Sequence, residues 1–405
     1  MSDKGKDLYE KVKNKIDLLN EKGTLENKFG RFWKLACNMK SRQHDLKYIY
    51  EDSSREFVEK YQNQLVGLRE EFVNNMEYYV EKCIKVMRET NNMRVYYAKT
   101  NEEAQEIFMK ELGESKVIYK SKSVEAKDIG IIDILKKNKI EIKETDMGDI
   151  LVQLFEYNLP SFQVGPGAHF TVNEIVAKIK EVYGVELESK ASAIVEYFRS
   201  TFRKELLNDV KISLTSANAI SAEDGTIVLG ENEGNISLLT RATEKHIVVC
   251  GITKIVPTIL DAVLVAKLQT RINNVSFNYI SLISGPSNTS DIQGQSVIGM
   301  YGAKEVVVIL VDDWRTKALK KNLLYKEFLK CVGCRTCNYV CTASRAFGNI
   351  YASKYGLGAT AIIRDYVHNG IEAAVKDGLF LCTGCENCYH WCPISINLGE
   401  IMKSI

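Results

Sequence analysis

Histidine and proline are scarce in this chain, with five of each among 405 residues, and no long apolar run occurs. Without a stretch near the ~20 apolar residues that a bilayer span needs, the sequence predicts no membrane helix. The opening Met1-Ser-Asp-Lys-Gly-Lys6 has no apolar segment of the signal-peptide kind, so a cytoplasmic, reducing location is expected. A formal net charge of +2 provides no field for nucleic acid. No G-x-G-x-x-G follows a strand pattern, which leaves flavin and nicotinamide without their usual phosphate-binding turn. Hydrophobic content of 45% and charged content of 26% are ordinary for a globular protein able to bury a sizeable core.

Cysteine is the residue in surplus. Eight of the eleven fall in two runs, Cys331-Val-Gly-Cys334-Arg-Thr-Cys337-Asn-Tyr-Val-Cys341 and Cys382-Thr-Gly-Cys385-Glu-Asn-Cys388-Tyr-His-Trp-Cys392-Pro393. Each is C-x2-C-x2-C-x3-C, the bacterial ferredoxin spacing for [4Fe–4S] ligation, in which the fourth cysteine ligates the other cluster. The pattern therefore assigns Cys331, Cys334, Cys337 and Cys392 to cluster 1, and Cys382, Cys385, Cys388 and Cys341 to cluster 2. Zinc sites also use paired C-x2-C elements, but zinc gives no reason for the repeated third and fourth positions. A disulfide framework does not suit a long chain without a secretion signal. Cys37, Cys83 and Cys250 are isolated and read as buried thiols.

The chain divides into three parts. Residues 1–92 read as helical, proline-free, with apolar residues at three- and four-residue spacing; the aromatic group Phe29–Ala36 reads as core packing. Residues 93–318 alternate β runs at 94–98, 116–119, 141–143, 211–214, 226–229, 246–250, 277–282 and 305–311 with helices at 101–112, 124–138, 171–182, 189–208 and 256–270. That alternation predicts an α/β domain with a mainly parallel sheet, whose ligands bind at the carboxyl ends of strands. Residues 319–405 read as a helical two-cluster ferredoxin module, with 40 residues (342–381) between the cysteine runs.

Several strand-end loops are candidate ligand contacts. Lys120-Ser121-Lys122-Ser123 lies at a strand-to-helix turn, where free amides and two ammonium groups suit a small carboxylate or phosphate. The plainer reading is a solvated turn with Ser123 as N-cap. Glu144 and Asp146 lie on the next acidic loop, and His169 follows the segment Pro160–Ala168, a position suited to acid–base work. Asn218 and Glu223 precede the strand at 226–229.

In this order the motifs resemble the lactate-utilisation iron–sulfur protein B (LutB) family, which carries a LUD domain followed by a two-cluster ferredoxin. The resemblance rests on K-S-K-S at 120–123, E-T-D-x-G at 144–148, P-S at 160–161, P-x-A-H at 166–169, S/T-x-A-N…E-x-G-T at 215–226, E-G-N at 233–235, H-I at 246–247, G-I-x-K-x-V-P-T at 251–258, Ser284-Gly285-Pro286 and both cysteine runs. It implies a NagB/RpiA/CoA-transferase-like α/β fold and an oxidoreductase subunit that moves electrons from a 2-hydroxy acid such as L-lactate. It also implies a CCG-domain protein and a second LUD protein as partners, or another electron carrier. Three positions depart from the family: Phe162 replaces a histidine, Thr342 follows Cys341 where proline is common, and Asp312-Asp313-Trp314-Arg315 replaces an aspartate-asparagine-glycine element. The first of these favours an alternative, a non-catalytic electron-transfer or docking subunit.

Overall fold

The computed structural model describes residues 6–7, 9–14, 52–156, 165–271, 276–321 and 323–405. Phe29–Ala36, Cys37 and Phe162 lie outside the described residues.

The central sheet has six strands, all parallel. They are β1 (Arg94–Ala98), β2 (Val117–Lys120), β3 (Glu141–Glu144), β4 (Ile212–Thr215), β7 (Lys245–Gly251) and β12 (Glu305–Val311), in the spatial order β1-β12-β7-β4-β2-β3. The two longest, β7 and β12, occupy inner positions and are buried along nearly their whole length, β12 as a run of valine, isoleucine and leucine and β7 around Ile247, Val248 and Val249, as a strand covered on both faces requires. Their side chains alternate between two cores. Val307, Ile309 and Val311 face Phe108, Ile118, Leu135 and Ile247. Val306, Val308 and Leu310 face a second core shared with Leu65, Phe72 and Met87 of the helices Asp52–Asn74 and Met76–Glu89.

The runs expected at 226–229 and 277–282 form strands, but in a separate sheet. β5 (Ala219–Ser221), β6 (Ile227–Glu231), β8 (Ile255–Val256) and β9 (Tyr279–Ile283) pair in the order β8-β5-β6-β9, mostly antiparallel, while β10 (Asn288–Ile292) and β11 (Gln295–Ile298) pair antiparallel with each other. β5 and β8 have three and two residues, too few for a visible period. The helix expected over 124–138 is two helices, Val124–Asp128 and Ile131–Lys137, separated by Gly130 at φ 81°. A Cβ there would lie 2.6 Å from the Gln105 amide, which donates to the Ile129 carbonyl.

The cysteine-rich part is built on the helices Thr336–Val340, Thr342–Phe347, Gly358–Asn369, Asn387–His390 and Leu398–Ser404. Its buried Tyr351, Ile362, Ile363 and Ile401 continue the core that holds Leu310 and Phe72, so one apolar interior runs from the N-terminal helices to the cysteine loops.

Candidate functional site: two cysteine loops and a cleft at the sheet edge

All ten described cysteines are thiols rather than disulfides. The two loops repeat one backbone path: Gly333 and Gly384 have φ of 77° and 65°, and Arg335 and Glu386 have φ of 67° and 60°. Alternating left-handed residues turn successive amide N–H groups toward one concavity, an arrangement that suits anionic and iron–sulfur ligands. Tertiary closure sorts the sulfurs. Cys392 feels the charge of Cys334 and Cys331, and Cys337 feels Cys334, Cys331 and Cys392. Cys341 feels Cys382, and Cys388 feels Cys341, Cys382 and Cys385. A small cavity is lined by Cys341, Cys382, Cys385 and Cys388, with Cys337 of the first run also on its wall.

Burial and mutual repulsion push most of these thiols up, Cys388 to about 11 and Cys392 to about 12. Cys385 is the exposed exception, held below the usual thiol value: its slight burial is outweighed by hydrogen bonds from Thr342, the Asn387 amide and Thr383. Crowded sulfurs that resist ionisation on their own are a donor set that bound iron neutralises. The residues fit two four-thiolate clusters, which when bound supply one-electron transfer.

Cys83 and Cys250, by contrast, are fully enclosed, and burial raises both thiols, Cys250 to about 12.

At the carboxyl edge of β2 and β3 the Lys120–Ser123 turn meets the 144–148 loop. Lys120 is buried, with Nζ 2.6 Å from Glu144 Oε2. Burial alone would lower this ammonium, but the Glu144 and Asp149 charges outweigh it and raise it. Lys122 pairs with Asp146 at 3.1 Å. The Ser121 amide donates to the Leu214 carbonyl, and Ser123 caps the following helix by accepting from the Ala126 amide. Asp146 caps Met147–Leu154, accepting from the Gly148 amide.

A cleft of about 1020 Å³ opens here, lined by Lys122, Ser123 and Glu144 from the sheet edge and by Lys354, Tyr355 and His368 from the cysteine-rich part. Pro166 also lines it, whereas His169 is buried behind, its ring 4.0 Å from that of Phe170. Asn218 and Glu223 lie elsewhere. The Asn218 side chain bridges Gln269 and the Gly230 amide, and Glu223 accepts from the Ile259 amide.

Sequence reasoning passed over His368, whose Nδ1 is 3.0 Å from Asp313 Oδ2. Burial would raise the Asp313 carboxyl, but the His368 hydrogen bond and the charges of His368, Lys317 and Arg315 lower it. Asp313 has φ 45°, a strained backbone for a non-glycine residue at a strand end. The departure from the family at 312–315 is the available signal, because Asp313 lines the cleft and Arg315 packs against Glu125 and Asp128 beside it. Arg315 is buried, 3.0 Å from Glu125 and 3.9 Å from Asp128, and Arg364 reaches Asp128 at 3.5 Å.

Family models match both the α/β part and the cysteine-rich part. The LUD domain family model matches residues 80–311, and a 4Fe-4S dicluster domain matches residues 327–396. Lactate utilization protein B of Macrococcus caseolyticus is 26% identical over 353 residues, 85% of this chain and 70% of that protein. Lactate utilization protein B of Bacillus subtilis is 26% identical, over 83% and 68% of the two chains. An uncharacterized electron transport protein, YkgF of Escherichia coli, is 25% identical over 85% and 70%. A solved duf162 family protein from Deinococcus radiodurans shares 16% identity and covers 60% of this chain and 98% of its own, at a TM-score of 0.28. With its parallel sheet, its paired cysteine loops and a family match over most of the α/β part, the chain belongs to the LUD domain family and carries a 4Fe-4S dicluster domain behind it.

Proposed function

We propose that this chain is a cytoplasmic electron-transfer subunit of an oxidoreductase. It would pass electrons singly from a 2-hydroxy acid such as L-lactate, or from a partner donor, through two clusters to another redox protein. Supporting it above all is the crossed sorting of the cysteines into Cys331, Cys334, Cys337, Cys392 and Cys382, Cys385, Cys388, Cys341, each with three sulfurs from one run and one from the other. Because each cluster takes one electron, a two-electron donor needs a further acceptor, in keeping with a CCG-domain protein, a second LUD protein or another electron carrier as partner. The cleft is the proposed seat of a small carboxylate or phosphate, with Lys122 and Ser123 at one wall and His368, oriented by Asp313, at the other. The test is anaerobic, cluster-loaded protein given L-lactate and an artificial acceptor, alone and with its partners. Reduction of the acceptor by the assembly is expected, and its failure in both settings removes the lactate reading.

A docking role for the LUD domain is the second reading. It is favoured by Lys120 and Lys122, whose charges are already met by Glu144 and Asp146. Alanine at Lys122 and His368, which line the cleft, separates the two, since unchanged turnover with intact clusters supports docking.

A further inference from the structure

The two cysteine sets sit in unlike electrostatic surroundings. Around the first, Arg69 is buried and donates to the Lys330 and Leu329 carbonyls at 3.1 and 2.9 Å, immediately before Cys331, whose charge it feels. Arg335 lies inside the loop itself, buried, near Cys331 and Cys337. Arg364, also buried, feels Cys331. Lys254, partly buried, has its Nζ 4.0 Å from where a Cβ on Gly333 would stand. With Arg315 and the buried Lys330 just before Cys331, six cations gather on this side among the described residues; Glu125 and Asp128 are the buried carboxylates among them, and the more exposed Glu70 and Glu327 pair with Lys330.

Among the described residues, the cations beside the second set are fewer and exposed. Arg345 donates to the Tyr339 carbonyl ahead of Cys341 at 2.9 Å, and Lys403, its Cε 3.5 Å from where a Cβ on Gly384 would stand, is paired with Glu400 at 2.7 Å; Glu386 lies in the loop itself. Cys385 is itself exposed.

We infer that the surrounding cations make the Cys331/Cys334/Cys337/Cys392 cluster the higher-potential site of the two. This rests on the ligand sets proposed above. Reduction adds one negative charge without a compensating proton, so fixed positive charge nearby favours the reduced form. Burial opposes this by withdrawing water from the added charge. The surplus of cations over carboxylates decides the sign, because charges fixed in a water-poor interior act at low screening. The cations also come from outside the ferredoxin-like part: Arg69 from the N-terminal helix and Lys254 from the α/β domain. Docking the two parts therefore sets the potential, which the cysteine spacing alone leaves open.

The experiment is an EPR-monitored redox titration of the full-length, anaerobically purified holoprotein. Wild type is expected to show two midpoints. Lys254→Met should lower the upper midpoint and leave the lower one in place, while Lys254→Arg should hold both. Lys254→Gln is the second variant should the methionine protein lose iron. Cys385→Ser identifies the sites, since the upper midpoint should survive loss of the exposed cluster. An unmoved upper midpoint in Lys254→Met, an equal shift in both, or a shift in the lower one alone overturns the inference. If Cys385→Ser removes the upper midpoint and keeps the lower, the order of potentials is reversed and the inference fails. If instead Cys385→Ser empties the site that holds Cys331, the ligand sets fall and the electron-transfer reading does not.

Discussion

Replacing Arg315 by methionine removes a buried guanidinium that joins the end of β12 to the helix Val124–Asp128. Its Nη2 is 3.0 Å from Glu125 and 3.9 Å from Asp128, and its Nη1 is 3.3 Å from the Val311 carbonyl. The fit is tight: a Cβ on Gly251 would lie 2.0 Å from the guanidinium, so only glycine at the end of β7 admits it. Breaking a buried ion pair by removing one partner costs about 3–5 kcal/mol, because the other charge is left uncompensated. Glu125 keeps the Gly251 amide at 3.0 Å and Asp128 keeps Arg364 at 3.5 Å, so the lower end, about 3 kcal/mol, is expected. Urea unfolding of the anaerobic protein, followed by circular dichroism, measures it. Adding Glu125→Gln to Arg315→Met should recover part of the loss by neutralising the stranded carboxylate. A loss below about 1 kcal/mol, or a double variant no better than the single, refutes the reasoning. The pH dependence follows the same pair. Burial would raise Glu125, but Arg315, Lys254, Arg364 and the Gly251 amide outweigh it and lower it from 4.5 to about 2. A depressed folded-state value contributes stability above 4.5 that is lost as pH falls toward 2. Glu125→Gln should flatten that acid limb.

Anaerobic protein should carry about eight iron per chain, and Cys392→Ser should damage the cluster held by Cys331, Cys334 and Cys337; loss confined to the other cluster would mean the crossing is wrong. Arg69→Met should speed iron release to a chelator from that same cluster, because it frees the carbonyls of Leu329 and Lys330 just ahead of Cys331; equal release from both clusters would contradict this. Asp377 is raised to about 8 by burial and by its hydrogen bond and repulsion with Asp365, so the folded protein retains a proton that the unfolded chain sheds near 3.8. Stability therefore falls as pH rises from 3.8 toward 8, and Asp377→Asn should raise the thermal midpoint at pH 7.5 but not at pH 4.

Much of this architecture is local and so legible in the chain. Glu305–Val311 can only be a buried strand, and the helix read at 101–112 runs from Asn101 to Leu112, with the Thr100 side chain accepting from Glu103 at its start and Gly113 at its end. The Lys120–Ser123 turn and the 144–148 loop both read as strand-end ligand contacts, and the parallel pairing of β2 with β3 puts Lys120 opposite Glu144. His169 and His368 show the limit. A histidine after a Gly/Pro segment looked suited to the cleft, yet the turn at 165–170 presses Pro166 against Gly148 and turns His169 inward. His368 comes to the cleft from a helix 199 residues later in the chain, paired with an aspartate at the end of β12.

The sequence by itself determined the parallel α/β sheet and the two cysteine runs of a 4Fe-4S dicluster domain, because strand period, β-branched runs and C-x2-C spacing act over a few residues. Only the tertiary structure decided which histidine meets the cleft and how many cations surround one cysteine set. Arg69 reaches Lys330 across 261 residues, and Glu125 reaches Arg315 across 190. Contacts of that span carry no period, and they exist only once the core has closed around them.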